Sequence, residues 1–271
     1  MRGTVVIIMR SAVALAFMGM FTMIQTGSAL AWNGMGHEVV AAIAEKHLTA
    51  TGRLWVGELL SAEGKTSIVE VARWADRIRD LKVGVQPSHL VRLPLDEREY
   101  DPAKQCKNHR CIIGAIDESV AALNDPALPT EAKVAALKYI VHLVGDIHQP
   151  LHASEDPGVF KVIFKGKEMT FHDVWDSAFI RSRKMSVHDI ADMVDDFERG
   201  NAPAGGSTVS WAIESRNLAR DVLLRDLGAQ RATAMLVLPD DYLERHWPAV
   251  RLRLEQAGLR LASLLNGIRM R

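Results

Sequence analysis

The stretch VHLVGDIHQPLH, residues 141–152, decides how this chain folds and what it carries. His142 and Asp146 stand four residues apart, so a helix would set imidazole and carboxylate on one face, one turn apart. Pro150 stops that helix, and His152 falls in the turn beyond it, free of the helix face. Upstream, EAKVAALKYIVHLVGDI (131–147) places apolar residues at i, i+3, i+4 and i+7, the period of a helix with one buried face. The same period recurs over 36–48, 66–81, 111–123, 207–226 and 240–268. GVFKVIFKGKEMTF (158–171) departs from it. Its β-branched and aromatic residues flank a Lys-Gly pair, which predicts a short hairpin. NDPALPT and GNAPAGGST read as loops within one domain, and no internal repeat is evident. The expected fold is mainly α, a single helical domain with one β-hairpin near 158–171.

A second pair repeats the spacing: His172 and Asp176 in FHDVWD. Imidazole nitrogen and carboxylate oxygen together suit zinc, and sites without thiolates are more often catalytic than structural. One His–Asp pair alone would be an ordinary surface or core hydrogen bond. Two pairs, joined by His152, His89 and Asp76, point to a metal site. His47, His109, His148, His188 and His246 lack such spacing and read as surface or supporting residues.

The N-terminus, MRGTVVIIMRSAVALAFMGMFTMIQTGSALA, has Arg2 and Arg10, an apolar run, no acidic residue, and Ala29 and Ala31 around Leu30. That is the layout of a secretory signal peptide cut after Ala31. A retained membrane anchor is the alternative, because the run is close to the shortest that spans a bilayer. Cleavage would make Trp32 the first residue and 32–271 one exported domain, periplasmic or secreted, with no further membrane segment. The full chain has 33 Lys plus Arg and 33 Asp plus Glu, and losing two arginines brings the charge to about −2. No general basic footprint for a polyanion exists, so affinity for phosphate would need a local site or bound cations. Cys106 and Cys111, in CKNHRC, are the only cysteines, and export places them where a local disulfide persists. The alternative, free thiols or half of a zinc site, lacks further cysteine partners.

These segments resemble the S1/P1 nuclease family, zinc-dependent single-strand nucleases that share a helical fold with zinc phospholipase C. The similarity runs through WNGMGH, RWADRIR, SHLVRLP, YDPAKQC, VHLVGDIHQPLH, FHDVWD and AGLRLASLLN. It implies three zinc ions. Asp76, His89, His142 and Asp146 would hold the first, and His152, His172 and Asp176 the second. The third would take His37, Asp146 as a bridging carboxylate, and Trp32 through its terminal amine and carbonyl oxygen. It also implies hydrolysis of single-stranded DNA and RNA to 5′-phosphate products, with 3′-nucleotidase activity as an extension, by a monomer. His148 and Gln149, lying between ligands, would orient them, while Trp74 and Trp175 read as packing residues.

The sequence departs from the family pattern in two places. Leu90 and Arg92 follow His89 where relatives carry an aromatic residue and then an acid or amide. Base stacking and the acid's part in activating water would have to pass elsewhere, Asp96 being the next acidic residue. Arg92 would contact a substrate phosphate or form a surface ion pair. In EDPGVF, Val159 and Phe160 replace a Gly and a base-reading Asn, and Phe160 could only stack. Two other readings compete with the nuclease: a phospholipase C, and a metal-binding protein without catalysis.

Overall fold

The computed structural model describes residues 32, 34–96, 99–195, 205–232 and 235–269. The expected signal peptide, 1–31, lies outside them. The principal helices are α1 (Gly34–Lys46), α2 (Ala50–Ser61), α3 (Trp74–Asp80), α4 (Ile112–Asn124), α5 (Thr130–His148), α6 (Val187–Asp195), α7 (Thr208–Arg220) and α8 (Tyr242–Gly267). A small sheet holds β1 (Lys161–Phe164), β2 (Lys167–Thr170) and β3 (Leu236–Val237). The fold is mainly α.

Helix α5 is the spine. From Ile140 to His148 every residue is buried, because α1, α4, α7 and α8 pack around it. This explains why its apolar pattern is interrupted only by His142 and Asp146 along that run, before His148 ends it. The cap residue Gln149 leaves helical geometry, Pro150 has no N–H to continue the ladder, and a 3₁₀ turn carries His152.

The last carbonyls of a buried helix need donors. Here Ser215 Oγ donates to Ile147 O at 2.5 Å and Arg253 Nε to His148 O at 3.2 Å. Arg253 also binds Glu214 Oε2 at 2.7 Å and Trp211 O at 3.2 Å. Arg253→Leu should therefore strand several buried acceptors and lower stability by about 3 kcal/mol. Chemical denaturation of the metal-free protein measures this, and a loss within 0.5 kcal/mol or so would contradict the capping role.

Three expectations are corrected. The helix expected over 66–81 is broken into a 3₁₀ turn, Ile68–Val71, and α3. At the break Ala72 O accepts from His142 Nδ1 at 2.8 Å, so the carbonyl serves the site instead of a helix ladder. The helix expected over 207–226 is regular only to Arg220, and Asp221–Asp226 is a π turn. His172 and Asp176 do not share a regular α-helix either: His172 lies in the α turn Phe171–Asp173 and Asp176 in the π turn Val174–Ala178. The wider turn re-aims Asp176.

The hairpin forms as expected, with Lys165 and Gly166 both at positive φ, the conformation of a tight two-residue hairpin turn. β3 adds to β1 in parallel and was not read from sequence; nor were α2 and α6. Cys106 and Cys111 form the expected disulfide.

Candidate metal centre

Helices α1 and α3, the segment around His89, the 3₁₀ turn of His152 and the turns over 171–178 bring carboxylates and imidazoles together beside α5. Asp146 is at the middle and fully buried. Its Oδ2 lies 2.9 Å from His89 Nδ1 and 3.2 Å from His142 Nε2. Its Oδ1 lies 3.4 Å from His37 Nε2 and 3.6 Å from His152 Nδ1. On one flank, Asp76 Oδ1 stands 3.3 Å from His142 Nε2 and 3.7 Å from His89 Nδ1. On the other, His152 Nε2 is 3.3 Å from His172 Nε2 and 3.9 Å from Asp176 Oδ1.

Among the described residues, three groups have ligand atoms within 4.8 Å of one another: His37–His142–Asp146, Asp76–His89–His142 and His152–His172–Asp176. Every eligible residue implied by the family resemblance, except the non-titrating Trp32, thus falls into a group. Trp32 is itself wholly buried, with its Cβ 2.8 Å from where a Cβ on Gly36 would stand, which sets it against the first turn of α1.

The donor chemistry fits divalent cations. Both oxygens of Asp146, both ring nitrogens of His37, Nδ1 of His152, Nε2 of His89 and Oδ2 of Asp176 are buried without an aligned hydrogen-bond partner. Such groups are costly to bury unless a cation collects them. Burial pushes the Asp176 carboxyl well above the usual carboxylate range, Gln149 partly opposing and Asp146 reinforcing, so a cation is what would keep it ionised. Burial likewise holds His152 well below the ordinary histidine value, as the neutral ligand a metal needs. Burial disfavours charge on His142 too, but Asp146 and then Asp76 outweigh it and raise this imidazole to about 10. A proton there does in part what a cation would do.

Neighbours fix the ring orientations. His142 Nδ1 donates to Ala72 O and His172 Nδ1 to Pro157 O at 2.7 Å, leaving each Nε2 turned to the centre. Gln149 Nε2 donates to Asp176 Oδ1 at 3.2 Å. His148 touches no ligand side chain. Its Nδ1 meets Val144 O at 2.7 Å and its Nε2 meets Arg260 at 2.9 Å, so it ties α5 to α8. Trp175 is buried and donates to Tyr242 at 3.1 Å, a packing residue as expected.

Gly145 has a reason to be glycine. A Cβ there would lie 2.7 Å from His37 Nδ1, and the His37 ring stacks on His142 with centroids 3.7 Å apart. Gly145→Ala should favour the helix by about 1 kcal/mol yet displace His37. We expect about 10–100-fold weaker binding of divalent ions at that group, read by titration against a chromophoric chelator. Unchanged affinity would show that His37 is not held there by contact.

The remaining expected residues lie around this centre. Leu90 is half-buried, and its carbonyl accepts from Ile112 N at 3.0 Å. Phe160 is half-buried with one face stacked on Phe171 at 5.2 Å, leaving at most one face for a base. Arg92 Nη1 donates to Ser154 O at 2.9 Å, and its guanidinium feels the charge of Asp156. Asp96 is exposed and belongs to none of the three groups. Residues 91–93 run beside 152–155, with Val91 N bonded to His152 O at 3.0 Å, which sets His89 against His152.

Sequence reading missed Arg79. Its Nη2 is 2.8 Å from Asp76 Oδ1 and its Nη1 3.3 Å from His89 Nδ1, so a partly exposed guanidinium rims the centre. Its place three residues after Asp76, one helical turn on, was the available signal. A cavity of about 360 Å³ lined by Gly34, Glu38, Arg73 and Asp76 opens outside Asp76. The larger groove, about 1040 Å³ between Ser88 and Tyr139, contains none of the ligand residues.

A family model described as S1/P1 nuclease matches residues 32–269. Endonuclease 2 of Arabidopsis thaliana is 29% identical over 262 residues, covering 88% of this chain and 90% of that protein. Nuclease P1 of Penicillium citrinum is 24% identical over 267 residues, covering 88% and 97%. Nuclease S1 of Aspergillus oryzae is 29% identical over 154 residues, covering 54% and 53%.

Proposed function

This chain belongs to the S1/P1 nuclease family, a nuclease hydrolysing phosphodiester bonds of nucleic acid, and on that premise we propose an exported, three-zinc enzyme acting on single-stranded DNA and RNA. The observation that supports this best is the Asp146 carboxylate, with imidazoles on both of its oxygens and three ligand groups around it. Asp76, His89, His142 and Asp146 would hold one zinc, His152, His172 and Asp176 a second, and His37, Asp146 and Trp32 the third. When bound, the ions supply Lewis acidity that activates water and the phosphodiester near neutral pH. The protein's part is to fix the imidazole tautomers through Ala72 O and Pro157 O, and to hold Asp176 through Gln149.

Arg79 offers its charge to a non-bridging phosphate oxygen, where negative charge grows in the transition state. In the net reaction the water oxygen bonds to phosphorus, the bond to the 3′-oxygen breaks, and the proton passes to that oxygen. The products are a 5′-phosphate and a 3′-hydroxyl. The ligand residues are all buried, so the scissile phosphate has to approach a recessed centre, which a flexible single strand does more readily than a duplex. Local cations also explain how a chain with 33 basic and 33 acidic residues attracts a polyanion.

Export is read from residues 1–31 and agrees with the disulfide. Among the described residues no helix is long and apolar enough to cross a membrane. The test is an assay of protein beginning at Trp32 on single- and double-stranded DNA, RNA, 3′-AMP and phosphatidylcholine, with and without chelator. Chelator-sensitive release of 5′-nucleotides, faster from single strands, is expected. Turnover of lipid alone, or full zinc occupancy with no turnover, would overturn the reading.

A further inference from the structure

We infer that Asp156 is a positioning residue for the His152–His172–Asp176 group, acting through the turn from Ser154 to Gly158 with Arg231 as its counter-charge. Asp156 touches none of the three ligand side chains. It organises the turn that holds one of them. Its Oδ1 accepts from Gly158 N at 2.9 Å, its own N donates to Ser154 Oγ at 3.1 Å, and its Oδ2 meets Arg231 Nη1 at 3.1 Å. Arg92 fixes the start of the same turn by donating to Ser154 O at 2.9 Å.

The turn then presents two successive carbonyls to His172. Pro157 O accepts from its Nδ1 and Gly158 O from its backbone N, each at 2.7 Å. Gly158 takes φ +67°, a conformation that side-chain-bearing residues rarely adopt, and packs against Leu151 and Phe171. A carbonyl engaged by Nδ1–H fixes the tautomer that leaves Nε2 as the ligand atom, and Nε2 is the nitrogen facing His152. Without Asp156 nothing anchors Gly158 N. The carbonyls beside it would then lose their aim, and His172 its orientation, while the helices keep their packing. Arg231 acts one step further out, in the 3₁₀ turn Gly228–Ala232.

This inference rests on the reading that the group holds zinc, and the experiment separates the two. Zinc-loaded protein is challenged with increasing competing chelator and retained zinc is counted, for wild type, Asp156→Ala, Arg231→Gln and Arg231→Lys; melting is recorded after metal stripping. Asp156→Ala should release one class of zinc at about 10–100-fold lower chelator strength, with the other classes unmoved. Arg231→Gln should shift the same class less, and Arg231→Lys should restore it. The metal-stripped proteins should melt together. Retention equal to wild type in both Asp156→Ala and Arg231→Gln overturns the inference. So does weakening of all classes in step with a lower melting temperature, which would mark a merely structural role. Wild-type protein that retains no zinc would overturn the underlying reading as well.

Discussion

Asp146→Asn is expected to keep the fold, lose zinc and leave less than about one-thousandth of the turnover on single-stranded DNA. The side chain hardly changes in size, and the residue is fully buried, so the effect isolates charge and ligand character. Asp146 is the only residue whose two oxygens face different imidazole sets, His89 and His142 on one side and His37 and His152 on the other, among the described residues. An amide gives one weak oxygen ligand and turns N–H donors toward rings whose nitrogens should face cations. The loss of a bridging anion therefore weakens two ion sites at once, and removal of a single electrostatic stabiliser already costs roughly 10²–10³ in rate. Elemental analysis reads the zinc, and release of acid-soluble nucleotides reads the turnover. Wild-type turnover in this variant would remove Asp146 from the bridging role.

That residue was legible in the sequence because its information is local. A helix converts a four-residue spacing into a shared face, so His142 and Asp146 declare themselves without any tertiary knowledge. His152 was legible for the opposite reason: Pro150 had to end the helix and so put it in a turn. What could not be read is where long-range partners intervene. The pattern over 66–81 is helical, yet His142 takes the Ala72 carbonyl from seventy residues away and the helix yields there. The His172–Asp176 spacing suggests one face of a regular helix, yet Asp176 lies in a π turn, which no four-residue spacing distinguishes from an α turn. Arg253 acts on the His148 carbonyl, Gln149 on the Asp176 carboxylate and Arg231 on Asp156, all across distant segments, and no spacing rule encodes such contacts. The pairing of Leu93 with Ser154, which joins His89 to His152, is of the same kind.

Adding one residue before Trp32 is expected to remove about one zinc per molecule and lower turnover at least about tenfold, without unfolding the protein. Trp32 is completely buried, lies against Gly36 and precedes His37 by five positions, which sets it against the first turn of the helix that carries His37. With His142 committed to the first ion, His37 and Asp146 offer the third two side-chain ligand atoms, short of the four of a closed tetrahedral zinc site. A free α-amine, with an ordinary pKa near about 8, can give up its proton to a cation at neutral pH. An amide nitrogen in the same place cannot. On this proposal the signal-like segment ending in SALA has a chemical consequence beyond address: cleavage after Ala31 would make the ligand. The measurement compares protein beginning at Trp32 with protein carrying one extra glycine, and then with the latter after an aminopeptidase has trimmed it. Zinc content and turnover should fall together and return together on trimming. An unchanged zinc count in the extended protein would show that the third ion, if bound, takes its remaining ligands elsewhere, and would separate export from assembly of the metal centre.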